Sequence, residues 1–391
     1  MVQYAEAARP SRRHRRAEEA ASVAARVDWL LVAATAGLVA FGLWAVSGIT
    51  RHDVPGDPDY YVVRQAVLAG IGLAALVGIV LVDPRRLVRS RQALYAVLIA
   101  PLVLVLVTGA AVRGSRRWVD LGFFQFQPSE FGKLLLVLVL AAFLADRGKR
   151  IAEAGTVATA VALTAAPAAL VFVEPDFGTA LAYIAVLAGA LFVAGSRWLH
   201  LGVLASLGVL GAVALVWLLP AAGVDVLKDY QSDRLTALFD RGNASPGTTY
   251  NVEQSITAVG AGGLDGRGVE GATQTNLDYL PEHATDFVFA SLAEQRGFLG
   301  AATLLLLYLL LLWRGLRIVS LAGDAFSAIA GGAILVGLVF SIFINVGMTM
   351  GIAPVTGIPL PFVSVGGSSL VANLAAVGVL LAIHLRSPRR R

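Results

Sequence analysis

The chain has 391 residues, of which 57% are hydrophobic and 15% are charged, and its formal net charge is +5. A soluble protein of this length would carry about 25% charged residues to cover its surface, so the composition excludes an ordinary soluble enzyme. The chain has no cysteine, which excludes disulfides, thiolate catalysis and cysteine-bound metals, and the basic excess in termini and short loops indicates membrane topology rather than nucleic-acid binding.

Long apolar segments recur along the whole chain, and each can cross about 30 Å of hydrocarbon as a helix. A closed β-barrel would instead show short alternating segments, which the sequence lacks. The sequence therefore predicts an all-α integral membrane protein with about ten transmembrane helices. The predicted spans are residues 27–48, 61–82, 93–112, 128–145, 155–173, 177–194, 198–219, 287–313, 325–348 and 366–385.

These spans divide the chain into a membrane domain with two short tails. Residues 1–26 form a cytoplasmic basic tail, residues 27–386 form the polytopic membrane domain, and residues 387–391 form a second cytoplasmic basic tail. No signal-peptide cleavage site follows the first apolar run, so we expect that span to be retained. Three predicted outer loops together carry one basic residue, Arg51, and the positive-inside rule then places both termini in the cytoplasm.

The segment between the third and fourth spans breaks this charge rule, because Arg113, Arg116 and Arg117 fall on the predicted outer side. Trp118 and the phenylalanines that follow it indicate a segment lying in the membrane interface. A proline two residues before Glu130 predicts the first turn of the next helix.

The only long hydrophilic region, residues 220–286, is too long for an idle connector and predicts a small extracellular element. We interpret most of its carboxylates as solvated charge, but Asp286 directly precedes an apolar run. It either caps the following helix or is a partly desolvated carboxylate with the raised pKa of a general base. The acidic residues are Asp225, Asp229, Asp233, Asp240, Glu253, Asp265, Glu270, Asp278, Glu282 and Asp286.

The apolar run after Asp286 would form a helix of about 40 Å, longer than a bilayer core needs. Glu294, Gln295 and Arg296 lie in its first third. Charges at that depth normally face a polar cavity or one another, so we expect a cleft beside them.

Two more outer segments are unusual. EPDFGTA, residues 174–180, is either a tight turn or part of a polar vestibule. GIAPVTGIPLPFVSVGGSS, residues 351–369, combines prolines and glycines where a span should begin, and non-helical backbone at that depth must be buried in protein or line a cavity.

Four stretches together resemble the SEDS family, the RodA/FtsW group of peptidoglycan glycosyltransferases, over residues 27–386. They are GSRRWVDLGFFQFQPSEFGKL, EPDFGTA, YNVEQSITAVGAGGLDGRG with GATQTNLDYLPEHATDF, and NVGMTMGIAPVTGIPLPFVSVGGSS. VTGIPLPF is similar to the elongation (RodA) branch. The chain departs from the family at His283, which stands one place early, at Glu174, where glutamine is usual, and at Val365, where tyrosine is usual.

The resemblance implies that the chain polymerises lipid II at the outer face of the cell (cytoplasmic) membrane, with inversion and with Asp286 as the general base. No sequence motif demands a metal, although a divalent cation, Mg²⁺ or Mn²⁺, could accompany the substrate diphosphate. The resemblance also implies a class B penicillin-binding protein as partner. The residues expected to bind substrate are Arg116, Arg117, Trp118, Glu130, Lys133, Gln274 and Glu282.

Two other functions remain open at this point: a lipid II flippase or other transporter, and a non-catalytic scaffold for a wall-synthesis complex. Broken helices suit a transporter with alternating access, but charged residues deep in the spans are few. The sequence does not separate roles in elongation, division and sporulation.

Overall fold

The computed structural model describes residues 26–83, 89–108, 110–112, 115–120, 122, 125–214, 218–221 and 246–387. Most of both predicted tails and part of the predicted extracellular element therefore lie outside the described residues. Individual residues discussed above that lie outside are Arg113, Phe123, Phe124, Asp225, Asp229, Asp233 and Asp240.

Helices dominate the described part of the chain. The first seven are α1 (Trp29–Ile49), α2 (Tyr60–Leu81), α3 (Arg91–Thr108), α4 (Pro128–Ala145), α5 (Ala154–Val173), α6 (Phe177–Ala194) and α7 (Trp198–Val213). The later ones are α8 (Pro246–Ala261), α9 (Val288–Ser320), α10 (Ala325–Thr349) and α11 (Gly367–Arg386). Among the described helices, eight are long and apolar enough to cross a membrane, and α3 and α7 are shorter apolar helices. The prediction of a helical, multi-pass membrane protein is confirmed.

The bundle is built around α4, α10 and α11, whose side chains are mostly buried. Helix α11 packs along α2, α10 packs along α6, and α9 packs along α1. Asp28 caps the start of α1 through the Leu31 amide at 3.0 Å and pairs with Arg314 of α9 at 2.5 Å. This buried ion pair joins the two helices at the predicted cytoplasmic side.

The segment between α3 and α4 differs from the prediction, because it contains a three-stranded antiparallel sheet. Its strands are β1 (Ala110–Val112), β2 (Ser115–Asp120) and β3 (Gln125–Phe126), in the spatial order β1-β2-β3. The predicted third span ran to residue 112, whereas α3 ends at Thr108. Strand pairing explains the difference, since it satisfies backbone groups that a short non-helical segment would otherwise leave without partners.

Helix α9 is not the continuous long helix that the sequence predicts. Gly297 adopts φ 64° and ψ −164°, which breaks the helix near its first third. The loop at 263–268 fills the break: the amides of Phe298 and Leu299 donate to the carbonyls of Gly263 and Leu264 at 2.9 and 3.1 Å. Only glycine fits here, because a Cβ at Gly297 would lie 2.4 Å from the Leu264 oxygen.

Candidate active site

Asp286 lies at the end of a compact loop, residues 277–287, which we call the Asp286 loop. The residue is partly exposed, and the N-cap position of α9 belongs to Phe287 instead. The loop folds on itself: the Phe287 amide donates to the Glu282 carbonyl at 3.1 Å, and the Thr285 hydroxyl donates to the Glu282 carboxylate at 2.9 Å. The capping interpretation of Asp286 is therefore wrong, and the Glu282 side chain serves the internal framework of the loop.

Side chains from two other segments hold the backbone of this loop. The Ser364 hydroxyl donates to the Thr285 carbonyl at 2.6 Å. The side-chain amide of Asn345, on α10, donates to the backbone carbonyls of Asp286 and Ile358, each at 2.9 Å. The backbone carbonyls of Thr285 and Asp286 are thus held by partly buried hydrogen bonds.

Ser364 belongs to the non-helical segment between α10 and α11, residues 350–366. Most of this segment is buried; Val363, for example, is fully buried. Its backbone groups find partners in the bundle, including Tyr308, whose hydroxyl donates to the Pro361 carbonyl. The prediction that this non-helical stretch is enclosed by protein is confirmed, and it forms a rigid support for the Asp286 loop.

The end of the small sheet is hydrogen-bonded to Ser368, which lies in the first turn of α11, directly after this non-helical segment. The backbone amide of Gln127 donates to the Ser368 hydroxyl at 2.8 Å. That hydroxyl donates to the backbone carbonyl of Gln125 at 3.1 Å. Val365, where the related family usually has tyrosine, donates through its backbone amide to the Ala284 carbonyl at 2.9 Å. The stretch 364–368 therefore contacts both the Asp286 loop and the end of the sheet.

Arg117, on strand β2 of the small sheet, has a positively charged side chain that suits an anionic ligand. It is partly exposed and stacks over the Trp118 ring at 5.0 Å from the centroid. Its Nη1 atom is 3.9 Å from a carboxylate oxygen of Asp176. Arg116 also lies on β2, but its side chain is outside the described part of the structure.

Glu174 and Asp176 are two buried carboxylic residues in the turn between α5 and α6, close to Arg117. Asp176 caps α6 through the Thr179 amide at 3.1 Å and accepts from the Gln127 side chain at 3.0 Å. Glu174 is 1% exposed, and neither of its carboxyl oxygens has a hydrogen-bond partner among the residues that the structure describes. Burial first, and then the charge of Asp176, raise the pKa of Glu174 to about 8, although Arg117 opposes them. EPDFGTA is therefore both a tight turn and a polar cluster.

Glu130 and Lys133 are brought together inside the bundle. Glu130 is 2% exposed, and its carboxylate oxygens lie 2.9 and 2.8 Å from the Lys133 ammonium. The pair lines a cavity of about 40 Å³ together with Ser341 and Asn373. A cavity of this size holds a few waters at most, so contact of this pair with substrate stays a prediction.

Glu294 anchors the loop that precedes Asp286. Glu294 is fully buried, and its carboxylate accepts a hydrogen bond from the backbone amide of Gln274 at 2.8 Å. The backbone amide and the hydroxyl of Thr275 donate to the same carboxylate at 3.0 and 2.8 Å. Gln295 donates to the Gly48 carbonyl at 3.1 Å, and Arg296 lies 4.1 Å from the ring centroid of Trp44. These three residues find partners in neighbouring loops and helices, and the expected cleft beside them stays a prediction.

The anchors Ser364, Asn345 and Glu294 were not predicted as site residues. Glu294 was visible as a charge at depth, and Ser364 lies in a segment that the sequence marks as non-helical. Their partners are backbone groups distant in sequence, which no local pattern reveals. Within the described ranges, no three His, Asp or Glu side chains cluster to hold a metal ion.

Known proteins resemble this chain along nearly its whole length. Residues 25–388 match the family model for FtsW, RodA and SpoVE, described as "Cell cycle protein". Stage V sporulation protein E of Bacillus subtilis is 37% identical over 91% of this chain and 96% of its own length. Peptidoglycan glycosyltransferase MrdB of Escherichia coli is 35% identical over 89% and 92% of the two chains.

Solved structures agree with the sequence relatives. A chain from a peptidoglycan synthase complex that coordinates polymerization and crosslinking superposes with a TM-score of 0.76 at 33% identity, over 92% of this chain and 97% of that one. The Thermus thermophilus rod shape determining protein RodA superposes with a TM-score of 0.69 at 30% identity, over 93% and 98% of the two chains. The chain belongs to the FtsW/RodA/SpoVE family of SEDS proteins.

Proposed function

We propose that this chain is a peptidoglycan glycosyltransferase that polymerises lipid II at the outer face of the cytoplasmic membrane, with Asp286 as the general base. The carrying observation is that Asp286 is a partly exposed carboxylate on a backbone held by Ser364 and Asn345. Such fixation suits a base, because proton transfer requires the carboxylate within about 3 Å of the reacting hydroxyl. The glycosyltransferase names of the relatives support the same reaction.

In this mechanism Asp286 accepts the proton of the acceptor GlcNAc 4-hydroxyl. The oxygen attacks the anomeric carbon of the donor MurNAc from the face opposite the leaving group. The bond to the polyprenyl diphosphate breaks, and the configuration inverts through an oxocarbenium-like transition state. The proton ends on Asp286 and the electron pair on the diphosphate, so the step balances without a further reactant.

Negative charge develops on the leaving diphosphate and requires cations. Arg117 is a partly exposed guanidinium on β2, 3.9 Å from Asp176, and charge-assisted hydrogen bonds from it would stabilise the phosphate oxygens. Arg116 neighbours it on β2 and is the second candidate. A guanidinium is preferred here, because its planar donors match phosphate geometry.

The partner in this proposal is a class B penicillin-binding protein, whose transpeptidase crosslinks the new glycan. Support comes from the similar chain in a complex that coordinates polymerization and crosslinking. Trp118, Gln274 and Glu282 remain proposed neighbours of the substrate, since they lie on β2 and around the Asp286 loop.

The test compares the wild type with Asp286→Asn, each purified with the cognate partner and supplied with lipid II. We expect long glycan from the wild type and none from an equally folded Asp286→Asn. Asp57→Asn is the matched control, since Asp57 is an exposed aspartate of another outer loop. Equal polymer from wild type and Asp286→Asn would remove Asp286 as the base. No polymer from either folded, lipid-binding preparation would favour a flippase.

A further inference from the structure

His283 lies three residues before Asp286 and connects two outer loops. Its Nε2 atom is 3.0 Å from one carboxylate oxygen of Asp53 and 3.2 Å from the other. Asp53 belongs to the first outer loop, between α1 and α2, while His283 belongs to the Asp286 loop. The imidazole is buried, with 10% of its side chain exposed, so this contact is shielded from bulk water.

Both ring nitrogens of His283 face hydrogen-bond acceptors. Nδ1 lies 3.3 Å from the Leu280 carbonyl oxygen and 3.9 Å from the Asp278 carboxylate, while Nε2 faces Asp53. A neutral imidazole carries one N–H, so it would leave one of these acceptors without a donor. The charged imidazolium can donate to both, so this geometry favours the protonated form.

We propose that protonated His283 is a positioning residue that clamps the Asp286 loop to the first outer loop, so that polymerisation declines as the imidazolium loses its proton. This proposal rests on the role of Asp286 given above and adds a control on its placement. His283 lies three residues before Asp286 and two before Thr285, whose carbonyl accepts from Ser364, so the clamp adds a second attachment on the N-terminal side of Asp286. Loss of the second donor would free either the Leu280 turn or the contact with Asp53.

The electrostatics around His283 agree with this reading. Burial alone would lower the pKa of His283, but the hydrogen bond and charge of Asp53, aided by Asp278 and the Leu280 carbonyl, raise it above its ordinary value. Because the folded pKa is the higher one, the clamp is complete at low pH and is lost as pH rises through the raised pKa. The other charged groups of these two elements are Arg51 and His52, which lie 3.7 and 3.4 Å from Glu270, and Asp57, Asp59, Glu282 and Asp286.

The experiment measures the turnover of lipid II polymerisation from about pH 6 to about pH 9 with the partner protein present, a range that spans the titration of histidine. We expect wild-type turnover to fall on the alkaline side. His283→Arg keeps a permanent charge that can donate to Asp53, so it should remove that fall. His283→Gln can make only part of the clamp and should lower turnover about tenfold at neutral pH, with its alkaline fall absent.

His52→Gln is the matched control, because His52 is a half-exposed histidine of the same outer loop whose ion pair contributes little. It should leave the pH profile unchanged. Asp53→Asn removes the charge that raises the pKa of His283 and should shift the alkaline fall to lower pH. Wild-type turnover in His283→Gln, or an unchanged alkaline fall in His283→Arg, would overturn the proposal. Activity in Asp286→Asn would instead overturn the general-base role, so the two failures are distinguishable.

Discussion

The Ser364 hydroxyl donates to the carbonyl oxygen of Thr285 at 2.6 Å, across 79 residues of sequence. The same hydroxyl accepts the Leu360 amide at 2.8 Å, so Ser364 joins its own non-helical segment to the residue before Asp286. The proposed base is therefore supported by a buried segment of the bundle rather than by its own surface loop alone.

Ser364→Ala should reduce turnover without abolishing folding. The change removes one hydrogen bond to the Thr285 carbonyl and leaves the Leu360 amide without its acceptor, a loss of about 1–3 kcal/mol at a buried site. We expect kcat for lipid II polymerisation to fall about tenfold or more with little change in KM. Thr164→Val is the control, because Thr164 is buried and its hydroxyl donates within its own helix, to the Ala160 carbonyl. Equal loss of activity in both variants would contradict a specific role of Ser364.

Glu294→Gln should loosen the segment that leads to the Asp286 loop. Both carboxylate oxygens of Glu294 accept from donors of Gln274 and Thr275, so an amide NH₂ would meet at least one N–H with no acceptor. We expect faster protease cleavage between α8 and α9 and lower polymerisation in the same preparation. Thr275→Val removes one of three hydrogen bonds and should have a smaller effect, about 1 kcal/mol. The reverse order of severity would contradict the anchoring role.

Arg117→Ala should weaken substrate binding if Arg117 meets the diphosphate. Hydrogen bonds to charged groups contribute about 1.5–3 kcal/mol, so KM for lipid II should rise about tenfold or more. Arg117→Lys should restore only part of the affinity, because an ammonium lacks the planar donors of guanidinium. Arg64→Ala is the matched control: Arg64 is a partly exposed arginine of α2, with its guanidinium 5.9 Å from the centroid of the Tyr60 ring. An unchanged KM in Arg117→Ala would exclude this contact.

Glu174→Gln should stabilise the fold at neutral and alkaline pH. Burial and the charge of Asp176 raise the pKa of Glu174 from 4.5 to about 8, so between these values the folded state keeps a proton that the unfolded state releases. Wild-type stability should then fall with rising pH by up to about 1.4 kcal/mol per unit across this window and should level off above it. Thermal unfolding in detergent at several pH values would show the slope in the wild type and its loss in Glu174→Gln.

Glu153→Gln is the control for this measurement, since Glu153 is an exposed glutamate at the other end of α5. It should leave the pH dependence as in the wild type. The same slope in Glu174→Gln and in the wild type would show that Glu174 is ionised in the folded protein.

Much of the architecture follows from local properties of the sequence. Apolar runs of helix length predicted the order of the spans, because a lipid-exposed helix must satisfy its own backbone and present apolar side chains. The predicted spans 128–145 and 177–194 have the same bounds as α4 and α6. Asp286 was found as the last carboxylate before an apolar run, and four motifs indicated the family.

Three features depended on contacts that are distant in sequence. The break at Gly297 is stabilised by the 263–268 loop, the sheet before α4 rests on Ser368, and His283 finds Asp53 across 230 residues. Periodicity reports how a segment faces its surroundings, but it does not report which distant carbonyl or carboxylate its polar side chains meet. The sequence by itself thus determined the helical membrane fold, the family and the candidate base. Only the tertiary structure decided what holds Asp286 in place, because the hydrogen bonds from Ser364 and Asn345 join segments that are distant in sequence.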